Sequence, residues 1–169
     1  MNKIVCVALI ALLAFLLPSA TYAASDWKTP TADDLGKDTA WRDEDPGRYL
    51  VVKADFDGDG KEDIARLLVS DKGNAMGLFV TVSSMKRIGP LLLETIKGKR
   101  MIETFGIELA KPGTYETACG KGYWECKKGE PEKLRLERPG IDFFKYESAN
   151  SYFIWNVGKK KFDRIWISD

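Results

Sequence analysis

The chain has 169 residues, with 26 basic and 25 acidic side chains, a formal net charge of +1 and no histidine. So even a balance leaves no basic field to gather nucleic acid. The missing imidazole excludes Ser-His-Asp and Cys-His catalysis and histidine-ligated zinc, copper and iron, so any chemistry rests on carboxylates, lysine, tyrosine, serine or a hard metal ion.

Lys3 precedes an apolar run over residues 4–17, which Pro18 and Ser19 break before Thr21-Tyr22-Ala23. A positive start, a short apolar core and small residues at the cleavage positions make a secretory signal peptide. The run is too short to span a bilayer comfortably. Cys6 lies at its start, whereas a lipoprotein needs its cysteine just after the core. Cleavage after Ala23 leaves about 146 residues, enough for one domain with a sizeable core. Lys3 is the only charge removed, so the mature chain is formally neutral. It is expected to be a monomer, periplasmic or secreted, and free of the membrane.

Residues 24–47 form a polar segment. Thr31 can cap a short helix over residues 32–42, with Asp33 and Asp34 in its first turn, where the helix dipole favours acids. Trp27 and Trp41 are expected to pin this segment to the domain body.

From residue 48 the texture changes to short strand-like runs separated by turn residues. Strands are predicted over residues 49–53, 63–70, 77–83, 91–96, 101–109, 114–118, 133–137, 141–146, 151–157 and 162–167. Asp71-Lys72-Gly73-Asn74 is a hairpin turn signal. Lys159-Lys160-Lys161 reads as a solvated turn that discourages edge aggregation. The spacing of the turns and the lack of a βαβ rhythm predict a mainly β fold, an antiparallel sandwich or partly closed barrel with a short N-terminal helix. Residues 48–169 then make a single β domain.

Between the first two of these strands stands Asp55-Phe56-Asp57-Gly58-Asp59-Gly60-Lys61-Glu62-Asp63. Carboxylates occupy loop positions one, three, five and nine, with glycine at four and six. A tightly curled loop turns alternate side chains inward, so Asp55, Asp57 and Asp59 converge; the Lys61 carbonyl and Asp63 add further oxygens. Calcium is a hard cation that takes six to eight of them, and four carboxylates this close repel strongly without one. An EF-hand would place a glutamate at position twelve, where this chain has Arg66, and the residues that follow read as a strand.

The string resembles the calcium loops of the FG-GAP and VCBS-type repeat families, in which Asp-x-Asp-Gly-Asp-Gly-x-x-Asp joins two β-strands. The resemblance covers about residues 53–70 in a single copy. It implies a structural calcium held by Asp55, Asp57, Asp59, the Lys61 carbonyl and Asp63, and implies no catalytic activity.

After processing two cysteines remain, Cys119 and Cys126. An even count at short spacing in an exported chain reads as a disulfide, worth about 2–3 kcal/mol on the chain-entropy argument. It staples Gly-Lys-Gly-Tyr-Trp-Glu, which makes Tyr123 and Trp124 candidate partner-binding residues; Trp124 folding inward over the core is the alternative. Glu103, Glu108, Glu116, Asp142 and Glu147 are candidates for a glycosidase pair, which needs two acids in one cleft.

The last two strands are apolar on both faces. In one, Tyr152 and Ile154 alternate with Phe153, Trp155 and Val157; in the other, Phe162 and Trp166 alternate with Ile165 and Ile167. Strands covered on both sides explain this pattern; an exposed aromatic platform is the alternative.

The expected function is that of a small exported calcium-binding module, not an enzyme, recognising a cell-envelope protein or glycan in the manner of an inhibitor or immunity protein. The alternative is a carboxylate-based hydrolase of extracytoplasmic polysaccharide with a structural calcium.

Overall fold

A computed structural model describes residues 26–37, 40–43 and 45–169. The leader read over residues 1–23 lies outside them. Eleven strands appear in order: β1 (Trp27–Lys28), β2 (Val51–Ala54), β3 (Asp63–Ser70), β4 (Ala75–Thr81), β5 (Leu91–Lys97), β6 (Phe105–Ala110), β7 (Gly113–Glu116), β8 (Lys133–Leu136), β9 (Gly140–Lys145), β10 (Asn150–Asn156) and β11 (Lys161–Ser168). Every pairing is antiparallel. β3, β4 and β5 form one sheet, with β1 and β2 sharing the free side of β3. The second sheet runs β11-β10-β9-β6, and β7 pairs with β8 alone.

Alternation decides which faces meet. In β3, Ala65, Leu67 and Val69 are buried; with Met76, Leu78 and Val80 of β4 they pack on Ile107, Ile141, Phe143 and Phe153 of the second sheet. A smaller core forms on the other face of that sheet. There Leu134, Leu136 and Tyr115 of the β7–β8 hairpin cover Ala110, Tyr152, Ile154, Ile165 and Ile167. The result is a sandwich with a hairpin as a third, partial layer. It explains the two-sided apolar pattern of the last strands: Tyr152 is 7% exposed and Phe153 is 3% exposed on opposite faces of β10. The exposed-platform alternative does not hold for β10. Trp166, on the edge strand β11, stays 36% exposed.

The sheets join along one side. The Tyr49 carbonyl accepts from the Ile107 amide of β6 at 2.8 Å, and the Leu50 carbonyl accepts from the Leu67 amide of β3 at 2.9 Å. Along the opposite side the sandwich is open between the outer strands β5 and β11, where Arg164 forms an ion pair with Glu94. Arg164 also lies over Phe143, Phe153 and Trp166. A charged pair aimed between the sheets discourages a foreign strand from adding at that edge.

The helix is shorter than its sequence pattern implies. α1 spans only Ala32–Leu35, followed by a separate 3-10 turn at Ala40–Arg42. Asp34 accepts from both the amide (2.9 Å) and the hydroxyl (2.7 Å) of Thr31, as expected at a helix start. Gly36 then takes φ +74°, a left-handed conformation that ends the helix. The strand expected over residues 101–109 likewise begins later: Met101–Glu103 is a 3-10 turn and β6 starts at Phe105. The two-residue strand β1 was missed, because it is too short to alternate.

Both tryptophans anchor the N-terminal segment. Trp27 meets Phe79 edge to face at 5.1 Å, and Trp41 stacks between Tyr49 (5.5 Å) and Tyr146 (4.9 Å). Next to Trp41 the Arg42 guanidinium is fully buried and donates to the carbonyls of Arg48, Ile102 (2.9 Å) and Phe105 (2.8 Å). Its Nε has no partner among the described residues. Loss of hydration on burial lowers its pKa to about 10. Arg42→Met keeps most of the packing volume but strands three carbonyls. It is expected to destabilise the fold by about 2–4 kcal/mol in urea unfolding.

Candidate functional site

The acidic loop connects β2 to β3, whose ends pair at Ala54 and Asp63, so the residues after it continue as a strand. Phe56 is completely buried and meets Phe162 of β11 edge to face at 6.3 Å, plugging the loop into the sandwich. With Phe56 turned inward, its neighbours Asp55 and Asp57 turn toward each other. Asp55, Asp57 and Asp63 each offer a carboxylate oxygen, all within 4.8 Å of one another.

The four acids do different work. Asp63 is fully buried; one oxygen accepts from the amides of Phe56 (2.8 Å) and Asp57 (3.3 Å), the other from the Ser83 amide (2.7 Å). Asp55 accepts from the amides of Gly58 (2.7 Å), Asp59 (3.1 Å) and Gly60 (2.9 Å). Asp57 accepts from the Asp59 amide at 3.0 Å and from the Ser84 hydroxyl. Asp59 stands apart from the other three, bonded to the Ser83 hydroxyl (2.8 Å) and the Lys61 amide (2.8 Å). The Ser83 hydroxyl, helped by the Lys61 amide, holds the Asp59 carboxyl below its usual range.

The loop is also tied to the far sheet. Arg138, in the connection from β8 to β9, donates to the Asp57 carbonyl at 2.6 Å. Gly58 makes this contact feasible: a Cβ there would lie 2.6 Å from the Arg138 guanidinium. Sequence reasoning placed the carboxylates but missed Ser83, Ser84 and Arg138, which come from distant segments with no local pattern to mark them.

The second candidate is the stapled loop. Cys119 and Cys126 are joined, with Cα atoms 5.0 Å apart. The loop docks on the end of β11: the Ala118 amide donates to the Trp166 carbonyl at 2.9 Å, and Lys121 Nζ donates to the Ile167 carbonyl at 2.8 Å. Tyr123 is 53% exposed. Trp124 does not cap the core. It is half-buried, donates its indole N–H to Glu130 at 3.1 Å, and lines an open groove of about 650 Å³ with Lys127, Lys128, Arg164 and Trp166.

A third place emerges only from strand pairing. The hairpin layer leaves part of the second sheet's outer face uncovered. There Glu108 of β6 stands directly opposite Asp142 of β9, in an open depression of about 320 Å³ that Glu147 also lines. Trp41, Tyr49, Phe144 and Tyr146 form its aromatic wall. Gly106 makes room for that wall, since a Cβ there would sit 2.5 Å from the Phe144 ring. The Asn150 side-chain amide donates to Asp142 at 3.0 Å, and its Oδ1 accepts from the Ser168 hydroxyl at 2.6 Å. The remaining candidate acids separate: Glu103 pairs with Arg100, and Glu116 is an exposed position of β7.

No family model, curated protein or solved structure matches the chain. Its own geometry therefore carries the functional reading.

Burial pushes the Asp142 carboxyl up to about 6; the Asn150 hydrogen bond opposes this and the Glu108 charge adds to it. Its ordinary value is 3.8, so between 3.8 and about 6 the folded state holds a proton that the unfolded chain has released. Stability contributed by this group therefore falls as pH rises through that window. Asp142→Asn removes the penalty. The variant is expected to gain about 1–2 kcal/mol over the parent near pH 8 and to differ little below pH 4, measured by urea unfolding at both values.

Proposed function

We propose that this chain is an exported binding module, not an enzyme, whose β2–β3 loop is held by calcium and whose stapled loop contacts a cell-envelope partner. One observation carries the reading: three carboxylates from a single loop converge within 4.8 Å. An all-oxygen ligand set suits a hard cation, and the loop's likeness to FG-GAP and VCBS-type loops favours calcium. Asp55, Asp57 and Asp63 would hold the ion. Asp59 and the Lys61 carbonyl complete the set expected from that likeness. The ion would supply charge neutralisation in a loop wired to Ser83, Ser84 and Arg138, and so would stiffen the end of the sandwich.

Export is supported by the leader-like N-terminus and by the Cys119–Cys126 disulfide, which persists in oxidising compartments. Among the described residues no helix is long and apolar enough to cross a membrane. A protein partner suits the stapled loop best, in the manner of an inhibitor or immunity protein. Tyr123 projects from a closed loop whose neighbours Lys121, Glu125, Lys127 and Lys128 carry both signs of charge, as interface rims do. A glycan is the other occupant considered for this loop.

The second reading, a carboxylate-based hydrolase of extracytoplasmic polysaccharide, gains one specific observation: Glu108 and Asp142 face one depression and Asp142 titrates high. It ranks second because that depression is open and Glu108 is exposed, whereas acid catalysis works best with water excluded.

Calcium at a hundredfold excess over its dissociation constant is expected to stabilise the mature protein by about 2.7 kcal/mol, reversed by a chelator. Asp57→Asn should keep the fold and lose that response. Asp63→Asn should destabilise by about 2–4 kcal/mol with or without calcium, because three amides lose their carboxylate. Thermal unfolding of the three proteins decides; an equal calcium response in Asp57→Asn and the parent removes the loop as the site. For the stapled loop, Tyr123→Ala combined with Trp124→Ala should weaken capture of the envelope partner from a periplasmic extract by about tenfold or more. A folded double variant that captures it equally rules this surface out.

A further inference from the structure

An antiparallel sheet with one face in water commonly keeps that face polar. The outer face of the first sheet departs from this. Strand pairing turns Val51 of β2, Ile64 and Leu68 of β3, Phe79 of β4 and Leu92 of β5 outward, away from the rows that build the main core. Val51 is 47% exposed, and Ile64, Leu68 and Leu92 are only half-buried. The β7–β8 hairpin covers part of the second sheet's outer face; among the described residues no hairpin covers this one.

Arg66 stands in the middle of this apolar face. Its cross-strand neighbours are Val51 on one side and Phe79 on the other, and Ile64 and Leu68 flank it along β3. Arg66 is exposed, and among the described residues its guanidinium has neither an ion pair nor a hydrogen bond. A carboxylate directly opposite on either strand would stabilise it, and neither position carries one. The other charged residues at outward positions of β2–β5 are Lys53 and Lys97, so this face presents bases only; Lys53 is already paired with Glu62 of the acidic loop at 3.2 Å. Beside Arg66 lies a recess of about 90 Å³ walled by Trp27, Phe79 and Pro90. Gly77 allows the wall to close, since a Cβ there would lie 2.8 Å from the Phe79 ring and 3.1 Å from both Trp27 and Leu92.

We propose that this face docks an acidic protein partner, which seats one apolar side chain in the recess and a carboxylate on Arg66. The recess has about the volume of three water molecules in the liquid. That suits a single side chain and falls well below the range of small-molecule pockets. An arginine bordered by aromatic and aliphatic side chains has the composition of an interface centre, and its fork of N–H donors matches a carboxylate. A second copy fits poorly, because two such faces would bring only bases together. An anionic membrane would use the charge, but a hollow in a sheet face offers nothing to insert among lipids. The surface belongs to the first sheet, whereas the stapled loop docks on β11 of the second.

The test is selection of a random dodecapeptide library on the immobilised mature protein. Recovered peptides are synthesised and titrated by fluorescence anisotropy against the parent, Arg66→Glu, Val51→Asp and Tyr123→Ala combined with Trp124→Ala, after thermal unfolding has shown which variants are folded. Val51→Asp sets a carboxylate opposite Arg66, so it tests the same contact if Arg66→Glu does not fold. Peptides carrying Asp or Glu beside apolar residues are expected, with binding weakened about tenfold or more in Arg66→Glu and Val51→Asp and unchanged in the stapled-loop variant. Peptides without an acid, binding that survives both substitutions or is lost in the stapled-loop variant, or recovery of no peptide overturns the assignment. Vesicles of phosphatidylglycerol and sedimentation equilibrium of the mature protein test the other two occupants. Arg66-dependent binding to the vesicles, or Arg66-dependent dimerisation, in place of peptide binding overturns it as well. None of these outcomes bears on the calcium response, so failure here and failure of the proposed function remain distinguishable.

Discussion

The carbonyls of Tyr49 and Leu50 reach different sheets, one to β6 and the other to β3, and this two-residue junction sets the rest of the molecule. It joins the sandwich along one side and leaves the opposite side to be spanned by Arg164 and Glu94. The junction is held by Arg42, which spends its donors on carbonyls before and after it in the chain. A buried guanidinium facing carbonyls and the Trp41 ring, with no carboxylate partner among the described residues, is costly to desolvate, and its lowered pKa reflects that cost. In return, Arg42 fixes the N-terminal segment and places Trp41 against Tyr49 at the rim of the depression.

The acidic loop shows how one residue type takes different roles a few positions apart. Asp63 is the first residue of β3, fully buried, and its carboxylate organises amides from the loop and from Ser83. Asp55 gathers three amides of the curled backbone. These hydrogen bonds partly offset the repulsion of the clustered carboxylates. Asp59 lies outside the converging group because Ser83 draws its carboxylate away.

Three layers of different extent leave two surfaces open, the stapled loop and the uncovered end of the second sheet. The hairpin β7–β8 covers one end of the second sheet's outer face, and the stapled loop that follows β7 docks against β11 beside it. The uncovered end leaves Glu108 exposed and Asp142 half-buried beside aromatic rings. Asp142 has a raised pKa, chiefly because burial strips its hydration; the Asn150 hydrogen bond opposes this and the facing Glu108 charge adds to it. Tyr152, beneath, has its hydroxyl pKa raised for the same reasons.

Local pattern was enough for much of this protein. Alternation and turn residues located ten strands, since a half-buried strand must repeat every two residues. The Asp-rich string marked its loop, because carboxylates that converge from one short segment are written close together in the sequence. The cysteine spacing gave the disulfide. What alternation cannot say is which strand lies beside which. The opposition of Glu108 and Asp142 depends on the register of β6 with β9, strands separated by a hairpin and a stapled loop. The reach of Ser84 and Arg138 into the acidic loop, and of Arg42 to three distant carbonyls, depends on tertiary packing in the same way. The sequence alone determined the fold class, the disulfide and the convergence of Asp55, Asp57 and Asp63, because these follow from contacts between near neighbours; Asp59, expected with them, bonds to Ser83 instead. Only the tertiary structure decided the surface where acids and aromatic rings meet, because that surface is made by residues brought together from four separate segments.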